Sequence, residues 1–263
     1  MNSKDLKLIV KGKYGNIVQP AGNNAKQAGI PVKSSCCGDS SGCCGSGFTM
    51  ASDDYSTLEG YDPDADYGLG CGIPTRYAGI RKGNDILDLG SGAGNDCFVA
   101  RAIVGENGSV TGLDMTPEMV AKATENNKRL GYTNVKFVYG DIEEMPLPDN
   151  TFDVVVSNCV LNLVPDKKKA FAQIMRVLKP GGHFCISDVV TKGKLPEKIR
   201  KDVEMYVGCV SGAIERDEYI RIIAAQGFEK VTVHKEGEIE IAGDLLEESG
   251  SKVLSITVSG SKS

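Results

Sequence analysis

Nine cysteines stand in a chain of 263 residues, and three of them occupy settings suited to chemistry. Cys71 lies in Gly68-Leu-Gly-Cys-Gly-Ile-Pro74, a loop whose glycines let the backbone come close to a ligand. Cys159 follows a strand-like run in Ser157-Asn158-Cys159-Val-Leu-Asn-Leu163, and Cys209 sits in Tyr206-Val-Gly-Cys-Val-Ser-Gly212. None shows the C-x₂-C spacing of a structural zinc site, and the only two histidines, His183 and His234, fall in strand-like runs. Three thiolates lacking a fourth partner suit a soft, trigonal ion. The competing reading is that a cysteine is a small, often buried hydrophobe, and that reading is adopted for Cys97 and Cys185.

A second group of residues points to a nucleotide-like ligand. Asp88-Leu-Gly90-Ser-Gly92-Ala-Gly94 falls where a strand should give way to a helix, so the backbone can turn sharply with no Cβ in the way. Its third glycine comes one residue too early for the dinucleotide fingerprint. Asp114 closes the next strand-like run twenty residues after Gly94, where an acid accepts hydrogen bonds from ribose hydroxyls. Gly140-Asp141-Ile142 follows the third run at the same expected edge. Taken one at a time, these acids could equally cap helices and these glycines merely turn.

The elements that must position these residues alternate strand and helix. Strands are expected at Asp85–Leu89, Ser109–Asp114, Val135–Tyr139, Phe152–Ser157 and His183–Ser187. Thr116-Pro117 opens a helix that Gly131 stops, and Lys167–Val177 places Ala170, Phe171 and Ile174 at helical spacing ahead of Pro180-Gly-Gly182. Further helices are expected at Asp5–Tyr14, Glu197–Tyr206 and Glu215–Gln226, and final strands at Lys230–His234 and Val253–Val258. Such alternation predicts right-handed crossovers and a doubly wound α/β domain, whose ligands bind at the carboxyl edge of the sheet.

With these motifs in register, the sequence resembles the class I S-adenosylmethionine-dependent methyltransferases, on Asp88–Gly94, Gly112-Leu-Asp114-Met115, Gly140-Asp141-Ile142, Phe152-Asp153 and Leu178–Gly182. The resemblance implies a mainly parallel seven-stranded sheet. It implies that Gly90, Gly92 and Gly94 back the methionine part of the donor and that Asp114 holds the ribose. Asp141 with Ile142 would read the adenine, Met115 would pack on its face, and Asn158 is counted with these cofactor residues. More closely, the sequence is similar to arsenite methyltransferases, on Tyr67–Pro74, Asp88–Phe98, Ser157–Lys167, Arg176–Gly182, Ser187-Asp188 and Gly208–Ala213. That resemblance implies that Cys71, Cys159 and Cys209 hold trivalent arsenic and that a reduced thiol, thioredoxin or glutathione, is a co-substrate. Many members carry a C-terminal extension past the core, and this chain stops at Ser263.

Composition sets outer limits. Thirty basic and thirty-five acidic residues give a formal charge of −5 with no basic cluster, which argues against nucleic acid or an anionic membrane as the main partner. Hydrophobic residues form 41% of the chain, with no run near the ~18 apolar residues of a membrane span. No leader-like segment opens the chain and the cysteine count is odd, so a cytoplasmic protein with free thiols is expected, and a monomer because no unpaired apolar surface shows in the sequence. Residues 1–60 are read as an N-terminal segment, 61–195 as the methyltransferase core and 196–263 as a small α/β addition completing arsenic site and sheet. The run 34–47 is low-complexity, and its Cys36, Cys37, Cys43 and Cys44 either capture arsenic and pass it inward, form disulfides as arsenic is oxidised and reduced, or make up a dispensable loop. Two rivals remain: methyl transfer to carbon or oxygen of a small organic acceptor, which needs a general base, and a metalloid-binding protein on the same scaffold.

Overall fold

The computed structural model describes residues 3–18, 53–197, 210–239 and 250–263. Their order is α1 (Ser3–Ile17), β1 (Asp85–Leu89), α2 (Asn95–Val104), β2 (Ser109–Asp114), α3 (Pro117–Leu130), β3 (Val135–Tyr139) and β4 (Phe152–Asn158). Then follow α4 (Lys167–Val177), β5 (Leu178–Lys192), α5 (Arg216–Ala225), β6 (Glu229–Ile239) and β7 (Lys252–Ser261). The seven strands form one sheet in the order β3-β2-β1-β4-β5-β7-β6. The first five run parallel, and β7 is antiparallel to both of its neighbours. This is the doubly wound α/β sheet that the alternation of elements predicts.

Local signals explain the boundaries. Thr116 precedes Pro117 at the first turn of α3, and Gly131 ends the helix in the left-handed region while its N–H returns to the Asn127 carbonyl. The Asp166 carboxylate caps α4 by accepting from the Lys169 N–H at 3.0 Å. The central strands are apolar almost throughout because helices cover both faces. Phe171, Ile174, Tyr219, Phe184 and Phe228 fill one side of the sheet. Phe98, Val104, Val110 and Val154 fill the other.

Two expectations are revised. Pro180-Gly-Gly182 does not separate α4 from a strand at His183; the helix stops at Val177 and β5 starts at Leu178. The glycines are absorbed as an irregularity, with Phe152 opposite Leu178 and Val154 opposite His183. Backbone bonds from Gly181 N–H to the Lys262 carbonyl (3.0 Å) and from Lys262 N–H to the Gly182 carbonyl (2.8 Å) hold that stretch within the strand, although Gly181 has φ 77°. β6 and β7 are also longer than the sequence suggests, because antiparallel pairing carries β7 across ten positions of β5. The helix expected at Glu197–Tyr206 lies almost wholly outside the described residues. So do Cys209 and the 34–47 run.

Candidate active site

A cleft opens at the carboxyl edge of β1, β2 and β4. Gly90 and Gly92 line it and Gly94 lies just behind, with φ of 68°, 51° and 104°. Their roles differ. A Cβ on Gly90 would meet Val160 at 2.4 Å and one on Gly94 would meet the Phe98 ring at 2.8 Å, so both are required by packing. At Gly92 the nearest atom is the Met119 sulfur at 4.0 Å, so that glycine leaves room for a ligand.

Asp114 ties the tips of the first two strands together, accepting from the Gly92 N–H (2.9 Å) and the Thr116 N–H (2.8 Å). Its carboxylate lines the cleft with lone pairs to spare, and burial raises its pKa. Asp141, Ile142 and Met115 line the same cleft. Asp141 accepts from the Glu143 N–H at 2.9 Å and pairs at 2.6 Å with Lys7, which reaches over from α1.

The thiols gather next to this cleft. Cys159 holds a left-handed backbone (φ 59°) just past β4, where its N–H donates to the Ser187 carbonyl at 2.7 Å. That conformation is uncommon for a residue with a Cβ, and here it turns the chain from the strand end into the cleft wall. Cys71 arrives from the loop before β1, its N–H donating to the Asn158 side-chain oxygen at 3.0 Å. The glycines on either side of it make this approach feasible: a Cβ on Gly70 would stand 2.6 Å from the Asn158 amide, and one on Gly72 2.6 Å from Ser187 Oγ. Cys71 and Cys159 share one buried cluster with Val10, Leu163, Val189 and Val210.

Tyr55, Asn158 and Asp96 complete the wall. Tyr55 is buried, and its hydroxyl lies 2.8 Å from an Asp96 oxygen and 3.0 Å from the Gly72 carbonyl. The Asn158 amide donates to the Tyr55 hydroxyl (2.8 Å) and the Gly72 carbonyl (2.8 Å). Asn158 thus braces the Cys71 loop from within the cleft wall. Asp96 follows the glycine turn, and burial pushes its carboxyl up to about 6 against the bonds from Tyr55 and Asn158. Asp88 is raised well above the carboxylate range by burial and then by the Asp96 charge. No sequence pattern marks Tyr55 or Lys7, since each reaches the site from a segment remote in the chain.

Of the described cysteines, Cys97 and Cys185 behave as packing residues. Cys97 is fully buried and donates to Asp88 at 3.2 Å; Cys185 is fully buried on β5, with burial pushing its thiol up to about 12. His183 sits on the Ala78 carbonyl and His234 on the Ser259 hydroxyl, and neither lines the cleft. Among the described residues no group of three His, Cys, Asp or Glu side chains is disposed to hold a metal ion. A cleft with acids along one wall, room above Gly92 and thiols at one end fits a positively charged, hydroxyl-bearing ligand beside a thiophilic one.

Residues 80–227 match the family described as methyltransferase domain. The chain belongs to that family. An arsenite methyltransferase from Halobacterium salinarum is 41% identical to this methyltransferase over 226 residues, 81% of this chain and 58% of the relative. An arsenite methyltransferase from Homo sapiens is 41% identical over 171 residues, 62% of this chain and 44% of the relative. The methyltransferase thus spans about half the length of the curated relatives it matches. The crystal structure of an arsenic (III) S-adenosylmethionine methyltransferase from Chlamydomonas reinhardtii superimposes with a TM-score of 0.65 at 39% identity, covering 72% of this chain and 66% of that one.

Proposed function

We propose that this methyltransferase transfers a methyl group from S-adenosylmethionine to trivalent arsenic held by cysteine thiolates. The observation that carries the reading is the meeting of Cys71 and Cys159, from loops 88 positions apart, in one buried cluster beside the glycine turn. S-adenosylmethionine, when bound, supplies an electrophilic sulfonium methyl. Gly92 leaves space for its methionine part, Asp114 accepts from its ribose hydroxyls and Asp141 from its adenine amino group. The acids of the wall favour its positive charge.

Arsenic(III) bound through sulfur keeps a lone pair, so attack on the methyl needs no deprotonation and no general base. This suits a cleft whose wall contains no histidine. The residues act by holding arsenic in line with the methyl, within ~3–3.5 Å, and by excluding water. Cys159 and Cys209 carry the ion in every round; Cys71, on its glycine-flanked loop, binds in the first round and then lets go. In this reading residues 61–195 carry the donor and residues 196–263 complete the thiol pocket. A thiol reductant of the thioredoxin or glutathione kind returns the thiols to service, and the enzyme works as a cytoplasmic monomer.

The test is methylated arsenic formed from arsenite, S-adenosylmethionine and reduced thiol. Wild type should form it, and Cys159→Ser and Cys209→Ser should not. Cys71→Ser should fail on arsenite and keep activity on monomethylarsenite; equal loss on both substrates would count against the division of labour. Product surviving in both the Cys159 and Cys209 variants would leave the reaction standing but remove the ligands. Donor binding without any arsenical product would redirect the search to organic acceptors.

A further inference from the structure

Lys7, Val10 and Tyr14 all line the cleft, and their spacing of three and four residues puts them on one face of α1. That face spans both ends of the site. Lys7 Nζ lies 2.6 Å from Asp141 Oδ2 and 2.6 Å from Glu143 Oε2, at the end assigned to adenosine. Val10, 3% exposed, packs into the cluster that holds Cys71 and Cys159, with Tyr14 against it. Lys11 is an exposed contact to the Tyr139 hydroxyl (3.0 Å), and Gly15 lies against the Glu118 carboxylate.

We propose that Lys7 is a positioning residue that fastens α1 across the cleft, so that one helix encloses the donor's adenosine end and the thiols together. The ammonium meets two carboxylates of the β3–β4 connection and is only 21% exposed, which makes it the strongest tether on that face. Val10 and Tyr14 follow wherever Lys7 sets the helix, because a helix moves as a rod over two turns. A ligand reaching either end must therefore pass the same cover. The assignment of the adenosine end rests on the function proposed above.

The experiment uses the full chain and two readouts at opposite ends of the cleft. One is the dissociation rate of S-adenosylhomocysteine. The other is the rate at which N-ethylmaleimide alkylates Cys71 and Cys159, read peptide by peptide by mass spectrometry. Lys7→Met should raise both rates about tenfold, while Lys13→Met on the exposed side should leave both within about twofold. Glu143→Gln, which removes one carboxylate charge and keeps its hydrogen-bonding shape, should reproduce the Lys7→Met result even if that variant folds poorly. Faster release of S-adenosylhomocysteine with unchanged alkylation would reduce Lys7 to a local contact and overturn the proposal. Unchanged rates at both ends would overturn it too. If wild type does not bind S-adenosylhomocysteine, the donor reading fails, and the alkylation rates alone decide whether α1 is the cover.

Discussion

The amide N–H of Cys71 donates to the side-chain oxygen of Asn158 at 3.0 Å, so one thiol loop is fastened to the residue next to the other thiol. The opposite end of the same side chain donates to Tyr55 and to the Gly72 carbonyl. One amide therefore sets the separation of the two sulfur-bearing loops. Asn158→Ala leaves several buried groups unpaired and should cost about 1–3 kcal/mol, visible as a lower Tm. Arsenite methylation should fall at least tenfold while affinity for S-adenosylhomocysteine changes less than about threefold. A matching collapse of donor affinity would instead make Asn158 a donor contact, as the resemblance implied.

The glycine turn offers a contrast between packing and binding. Gly94→Ala forces a Cβ into the Phe98 ring at a φ of 104° and should destabilise the fold by about 2 kcal/mol or more. Gly92→Ala meets no atom nearer than 4.0 Å and should cost only about 1 kcal/mol for its left-handed backbone. Its methyl group points into ligand space, so donor affinity should drop. Thermal melts alongside calorimetric titration with S-adenosylhomocysteine separate the two effects.

Cysteine replacement should sort by location. Cys185 is sealed inside the sheet with its thiol pushed up to about 12, so Cys185→Ala should keep full methylation at a cost of about 1–2 kcal/mol. Loss of arsenite methylation by that variant with an unchanged Tm would give Cys185 a role in the chemistry.

Stability should depend on pH through a buried acid of β5. Asp188 is fully buried; it accepts from the Tyr219 hydroxyl at 2.9 Å and the Val189 N–H at 3.0 Å, and burial raises its carboxyl to about 7. An unfolded aspartate titrates near ~3.9, so between these values the folded chain binds the extra proton and stability falls as pH rises. The loss is complete once the pH passes about 7. Asp188→Asn should flatten this part of the profile, measured as urea unfolding free energy at about pH 5 and about pH 8. An unchanged slope in the variant would assign it to Asp88, Asp96 and Asp114, whose carboxyls are raised in the same direction.

Most of the frame was legible because it is written in local code. β1, β2, α3, β3 and α4 begin and end at the residues that the apolar runs, Thr116-Pro117 and Gly131 mark. Cys71 and Cys159 could be singled out by their glycine-flanked and strand-end settings. Their meeting in one cluster depends on Gly70 and Gly72 slipping past Asn158 and Ser187, which no periodicity records. The same holds for Lys7, a helix lysine like any other until α1 lands on Asp141. That Gly181-Gly182 joins the strand is not marked locally, because its partner, Lys262, lies 80 positions past Gly182 along the chain.

The position of β7 has a bearing on how the molecule is made. The strand last in sequence lies inside the sheet, between β5 and β6. During translation β5 must wait with one edge bare, and β6 has no neighbour to dock on, until residues 252–261 clear the ribosome. An open apolar edge of that kind invites pairing with another nascent chain. Slow synthesis, or a stop codon shortly before Lys252, should therefore send the protein into aggregates rather than leave it merely short of one strand.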